Sequence, residues 1–111
     1  MNTNTRKKAI SARVRHIVRE RDGGCIFCER YGFAPTGMNT EIMHFVGRGR
    51  GGAGIPENLA VGCIQHHRMM DQGSPLDRQM MRALFRDYLR NQYPDWDESK
   101  LYVRNRWDEQ V

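Results

Sequence analysis

Cys25 and Cys28 are separated by two residues, and Cys63 and His66 by the same gap. A two-residue gap lets both side chains of a pair turn toward one ion from a tight knuckle. Three thiolates and one imidazole form an accepted tetrahedral zinc set. Four protein ligands leave no open coordination position, so such an ion is structural. Cys63-Ile64-Gln65-His66-His67 ends in two adjacent histidines, which on one backbone cannot easily serve one ion. His66 completes the zinc set by its spacing, with exchange for His67 as the alternative. The remaining histidine is then left over for a second site. Between the two metal pairs lie His44 and Asn58. A lone C-x2-C can also be a redox pair, but the βαβ unit that usually carries it is missing. The plainer alternative is a set of buried, unliganded cysteines with two surface histidines.

The elements that must position these residues follow from periodicity. Ile10, Val14, Ile17 and Val18 have helical spacing, which predicts an amphipathic helix from Ile10 to Arg21 with Arg13, Arg15, Arg19 and Arg21 outward. Asp22-Gly23-Gly24 ends it and opens the first knuckle. Glu41 to Val46 predicts one strand and Leu59 to Gly62 a second. The stretch from Gly47 to Gly54 is too glycine-rich for a regular element, and Pro56-Glu57-Asn58 closes it. Cys63 then opens a turn or short helix that carries His66, His67, Met69 and Met70, with the two methionines as core filler. Ser74-Pro75-Leu76-Asp77 is a helix start, with a serine cap, proline at the first position and a carboxylate three residues after the cap. Leu76, Met80, Leu84, Phe85, Tyr88 and Leu89 mark its apolar face, and Tyr93-Pro94 stops it. Residues 1–9 read as a mobile basic arm, and Leu101 to Trp107 as an edge segment or a wrap around the core.

A chain of 111 residues makes one domain, and 39% hydrophobic residues make a thin core that a structural metal would help to hold. An odd count of three cysteines argues against a closed disulfide framework and fits a reducing cytosol. No apolar run approaches the roughly 20 residues needed to span a membrane. The polar, basic start of the chain has no apolar segment of a signal peptide. The expected location is therefore the cytoplasm. Net charge is +5, and 15 of 18 basic residues are arginine. Arginine forks match phosphate oxygens in pairs, so this bias suits a polyanion such as nucleic acid.

Glu41-Ile42-Met43-His44, the Gly/Arg loop, Glu57-Asn58-Leu59 and Cys63-x2-His66-His67 together resemble the HNH endonucleases of the ββα-metal (His-Me finger) superfamily. The likeness is to the small zinc-containing proteins of phages and prophages, and it covers roughly residues 13 to 72. It implies an α+β fold in a single domain spanning 1–111: a basic arm over 1–9, a zinc-stapled ββα core over 10–72, and a C-terminal helix and tail over 74–111. It further implies a metal-dependent endonuclease that leaves 5′-phosphate and 3′-hydroxyl ends on DNA. His44 would be the general base, since an imidazole of ordinary pKa about 6.5 is half-deprotonated near neutrality. Asn58 would hold the loop that follows His44, and His67 would bind a catalytic divalent metal such as Mg²⁺ or Mn²⁺. Zinc falls to Cys25, Cys28, Cys63 and His66, because the family places a zinc-binding cysteine where His66 stands. The family also places an aspartate or histidine metal ligand where this chain has Met43, a poor partner for a hard ion. Asp71, one helical turn past His67, or Glu41, two residues before Met43, could replace it, with Asp71 favoured.

Arg48 and Arg50 would clamp DNA phosphates beside the cut site; the alternative is a basic loop with no defined contact. The phage likeness also implies a host-cell cytoplasmic setting and work with packaging machinery. Two rivals accompany this reading. One is a catalytically weak or inactive zinc-containing DNA-binding module, which Met43 favours. The other is an RNA-binding zinc protein.

Overall fold

The computed structural model of the chain describes residues 7–32 and 39–103. Ser11 accepts a hydrogen bond from the Val14 amide at 3.1 Å, and this cap starts α1, Ala12–Asp22. Ile10 thus lies before the helix, since a cap residue has extended backbone and cannot be an interior one. A short helix, α2 (Ile26–Tyr31), follows at Cys25. Strand β1, Thr40–His44, pairs antiparallel with β2, Leu59–Cys63, and sets Met43 opposite Ala60 and His44 opposite Leu59. Two helices complete the order, α3 (Ile64–Gln72) and α4 (Pro75–Gln92). The result is a small α+β fold on a two-stranded sheet. No helix among the described residues is long and apolar enough to cross a membrane.

Side-chain alternation divides the sheet between two cores. Ile42 joins Val18, Leu59 and Val61 on the α1 side, with Ile10 and Val14 against them. Met43 faces the other way into a larger core with the cysteines, Phe45, Met70, Met81, Phe85 and Leu89. Phe45 sets its ring edge-on to Phe85 and to Trp96 at 5.4 and 5.8 Å between centroids.

Several expectations are corrected by this packing. Phe45 and Val46 leave the ladder, because the strand bends where Asn58 captures their backbone. Arg21 is not a solvated outer residue. It donates to the Asp22 carboxylate, to the carbonyls of Pro56 and Leu59 and to the Tyr93 hydroxyl, and it lies between the rings of Tyr88 and Tyr93. Asp22 accepts in turn from the Val61 amide at 2.7 Å and from the Tyr88 hydroxyl. This buried ion pair ties α1, β2 and α4 together. Burial, and the hydrogen bond to Asp22, raise the Tyr88 phenol well above its ordinary range.

On α4 the cap is as read, with Ser74 Oγ accepting from the Asp77 amide at 3.1 Å. The apolar face is not. Leu76 and Met80 are 64% and 55% exposed, whereas Met81, Phe85 and Leu89 are buried. At about 100° per residue, Leu76 lies on the opposite side of the helix from Phe85. Met69 on α3 is exposed as well, although Met70 is core.

The N-terminal arm also differs from expectation where it is described. Lys7 O accepts from the Gly54 amide at 2.8 Å, so Lys7–Ala9 run along the Gly/Arg loop; residues 1–6 lie outside the described set. That loop has a defined course. Arg48–Arg50 form a 3₁₀ turn, the Ala53 amide donates to Leu101 O, and the Val103 amide donates to Gly51 O. Gly52, bridged to Tyr102, is obligatory, since a Cβ there would lie 1.7 Å from the Val46 carbonyl oxygen. Tyr102 thus supplies the expected edge contact, while residues 104–107 of the tail lie outside the described set.

Candidate metal centre and adjoining histidine site

Cys25, Cys28, Cys63 and His66 are all buried, and their ligand atoms lie within 4.8 Å of one another. A tetrahedral ion with Zn–S near 2.3 Å and Zn–N near 2.0–2.1 Å requires about 3.8 Å between sulfurs and about 3.6 Å from sulfur to nitrogen. Cys28 Sγ and Cys63 Sγ are 3.8 Å apart. His66 Nδ1 lies 3.6, 3.5 and 3.2 Å from the sulfurs of Cys25, Cys28 and Cys63. The four residues can therefore hold a structural metal such as zinc, and His66, not His67, is the fourth ligand.

Both knuckles are also helix starts. Cys25 Sγ accepts from the Cys28 amide and Cys63 Sγ from the His66 amide, each at 3.4 Å, capping α2 and α3. Cysteine is an unusual cap, but a metal-bound thiolate suits the positive end of a helix. Burial, with hydrogen bonds from the Cys28 thiol to the Cys25 and Cys63 sulfurs, pushes that thiol up to about 12. A divalent ion reverses that balance by deprotonating its thiol ligands. Burial lowers the His66 pKa and favours the neutral imidazole that a metal requires.

His67 is the next residue along α3, and the helical turn swings it out of the core. Glu41 Oε2 lies 2.5 Å from its Nδ1, and Asp71 Oδ2 lies 3.3 Å from its Nε2. The two carboxylates that can replace the missing ligand thus sit at opposite ring nitrogens. An ion on His67 can share Nδ1 with Glu41 or Nε2 with Asp71, but one nitrogen cannot serve both. Among the described residues, the zinc set is the only cluster of three or more His, Cys, Asp or Glu ligand atoms. Met43 is fully buried, with its thioether over Gly62, where a Cβ would meet Sδ at 2.3 Å. It belongs to the core and offers no ligand.

His44 ends β1 half-buried, with Nε2 3.2 Å from the Lys8 carbonyl oxygen. A carbonyl acceptor there favours the proton on Nε2, and in the neutral ring the lone pair is then on Nδ1. Burial lowers its pKa, and the nearby charges of Arg48 and His67 lower it further against the Lys8 hydrogen bond. Asn58 is fully buried beneath the following loop. Its Oδ1 accepts from the Val46 amide at 2.8 Å, and its Nδ2 donates to the carbonyls of Val46 and Ala53 at 3.1 and 2.9 Å. One amide thus pins both ends of the loop that leaves His44. Arg48 and Arg50 are exposed on that loop, and neither forms an ion pair among the described residues.

Two contributors had no signal in the sequence. The Lys8 carbonyl is a backbone group. Arg82 on α4, whose Nη2 donates to the Phe45 carbonyl at 2.8 Å, resembles its neighbouring surface arginines in pattern.

No protein-family model matches the chain, and no curated protein or solved structure matches it at a significant level.

Proposed function

We propose that this chain is a ββα-metal domain of the HNH type, cutting DNA with a divalent ion at His67. The observation that carries the reading is the state of His44. The residue sits half-buried at a strand end with Nε2 3.2 Å from the Lys8 carbonyl oxygen, and burial together with the charges of Arg48 and His67 lowers its pKa, which favours the neutral imidazole a base requires. The order β1, β2, α3 supports it, with the base, the loop-holding Asn58 and the metal-binding histidine on successive parts. His67 with one carboxylate is a donor set suited to a hard divalent ion that keeps several waters. Such an ion would polarise the scissile phosphate and stabilise the leaving 3′-oxygen.

The chain's own residues supply the rest. His44 Nδ1 takes a proton from the attacking water, while the Lys8 carbonyl holds the ring and stabilises the imidazolium that forms. Asn58 keeps the loop in place through that charge change. Arg48 and Arg50 hold the substrate backbone, and hydrolysis leaves 5′-phosphate and 3′-hydroxyl ends. A second reading, a DNA-binding module of weak or no activity, is favoured by one observation: Met43 is core, so His67 has a single carboxylate at each nitrogen. A plasmid-nicking assay with Mg²⁺, Mn²⁺ or Ni²⁺, against EDTA and His44→Ala controls, separates the two. Metal-dependent nicking lost in His44→Ala supports the nuclease. Nicking that persists in the variant removes the mechanism, and binding without nicking leaves the module.

A further inference from the structure

Arg82 forms no ion pair among the described residues. Its side chain is half-buried in the middle of α4, with the guanidinium 4.8 Å from the centre of the Phe45 ring. One of its five N–H donors is used, on the Phe45 carbonyl. Arg86, one turn further on, lies over the same ring at 5.7 Å. The charges of Arg50, on the turn after β1, and of Arg86 act on Arg82 against those of Glu98 and Asp71. Neither pairs with it: Glu98 lies 4.0 Å from Arg86 Nε, and Asp71 is turned to His67. Burial and Arg50 together lower the Arg82 pKa. A partly desolvated guanidinium among like charges is unfavourable until an anion joins it.

The placement of Arg82 is informative. Asp71, whose charge acts on Arg82, contacts His67, and the Phe45 carbonyl ties Arg82 to the residue after His44. Cations therefore stand on two elements near His44, the turn bearing Arg48 and Arg50 and the helix bearing Arg82 and Arg86. We infer that Arg82, together with the exposed Arg50, binds a backbone phosphate of duplex DNA, so that α4 contributes to the DNA-binding surface beside His44. The identity of the polyanion rests on the nuclease reading; the arrangement of charges does not.

The test is binding of the zinc-loaded full chain to a fluorescein-labelled duplex without added divalent ion, followed by anisotropy across a salt series. Arg82→Gln keeps an amide donor but removes the charge. It is expected to bind roughly ten-fold more weakly at low salt and to flatten the slope of log K against log salt by about 0.9, one phosphate contact. Arg82→Lys is expected to recover most of the slope, and Arg90→Gln, exposed on the same helix, to match the wild type. An unchanged slope in Arg82→Gln overturns the inference. So does an equal loss in Arg82→Lys with a lowered melting temperature, which marks a purely structural role. Absence of duplex binding by the wild type, or preference for single-stranded RNA, also overturns it. If the slope falls as expected while no metal supports nicking, the phosphate contact stands and the nuclease reading fails.

Discussion

His66 and His67 are neighbours in sequence and opposites in environment. His66 is 7% exposed and packs with three cysteine sulfurs, its ring near those of Phe27 and Tyr31. His67 keeps 27% of its side chain exposed and meets the carboxylates of Glu41 and Asp71. The first site is closed, with four protein ligands and no place for substrate. The second is partly exposed, as chemistry at a metal would require. The contrast sets side by side on one helix start, α3, a residue that can hold a structural metal and one free to face solvent.

The contrast can be tested from its strongest consequence downward. Cys28→Ser, or zinc removal by a strong chelator, is expected to unfold the chain, since structural zinc contributes on the order of 10 kcal/mol in small domains. A cooperative melt unchanged by chelation would refute the closed site. His44→Ala is expected to lower nicking by about 10² to 10⁴-fold, with zinc content and melting temperature held. Equal activity would remove His44 as base.

Asn58→Ala leaves the Val46 amide and two carbonyls buried without partners, an expected loss of about 3 kcal/mol in denaturant unfolding. A cost near zero would mean that the loop is held by its edges alone. Glu41→Gln and Asp71→Asn ask which edge of His67 takes the ion. One of the two is expected to weaken Mn²⁺ binding by roughly ten-fold, read by calorimetry, and the other to leave it nearly unchanged. Equal losses would show that both carboxylates serve, which the present ring geometry forbids.

The smallest effect is in pH. A base acts when neutral, so activity should rise with pH through the His44 titration. Its depressed pKa sets the midpoint below 6.5. A midpoint above 6.5 would contradict the burial of His44 and the influence of Arg48 and His67.

Much of this was legible in the sequence because the signals are local. The C-x2-C and C-x2-H spacings lead directly to the zinc set, and Ser74-Pro75 to the start of α4. The two strands were visible as short apolar runs, although the predicted end of β1 ran two residues too far. The misreadings share a cause. Leu76 and Met80 looked like core because spacing does not fix the rotation of a helix against its neighbours. Arg21 and Asp22 looked like a solvated cation and a helix stop, yet form a buried pair because Val61, Tyr88 and Tyr93 arrive from distant parts of the chain.

Residue types and spacing therefore settled which four side chains could share a zinc ion, since ligand chemistry and knuckle geometry are properties of short segments. They also marked Met43 as an unusual neighbour for His44. The packed fold settled that Met43 is core, that Glu41 and Asp71 take opposite nitrogens of His67, and that the Lys8 carbonyl holds His44. Those outcomes depend on strand pairing and helix rotation, which bring residues far apart in the chain within a few ångströms, and no local pattern encodes that meeting.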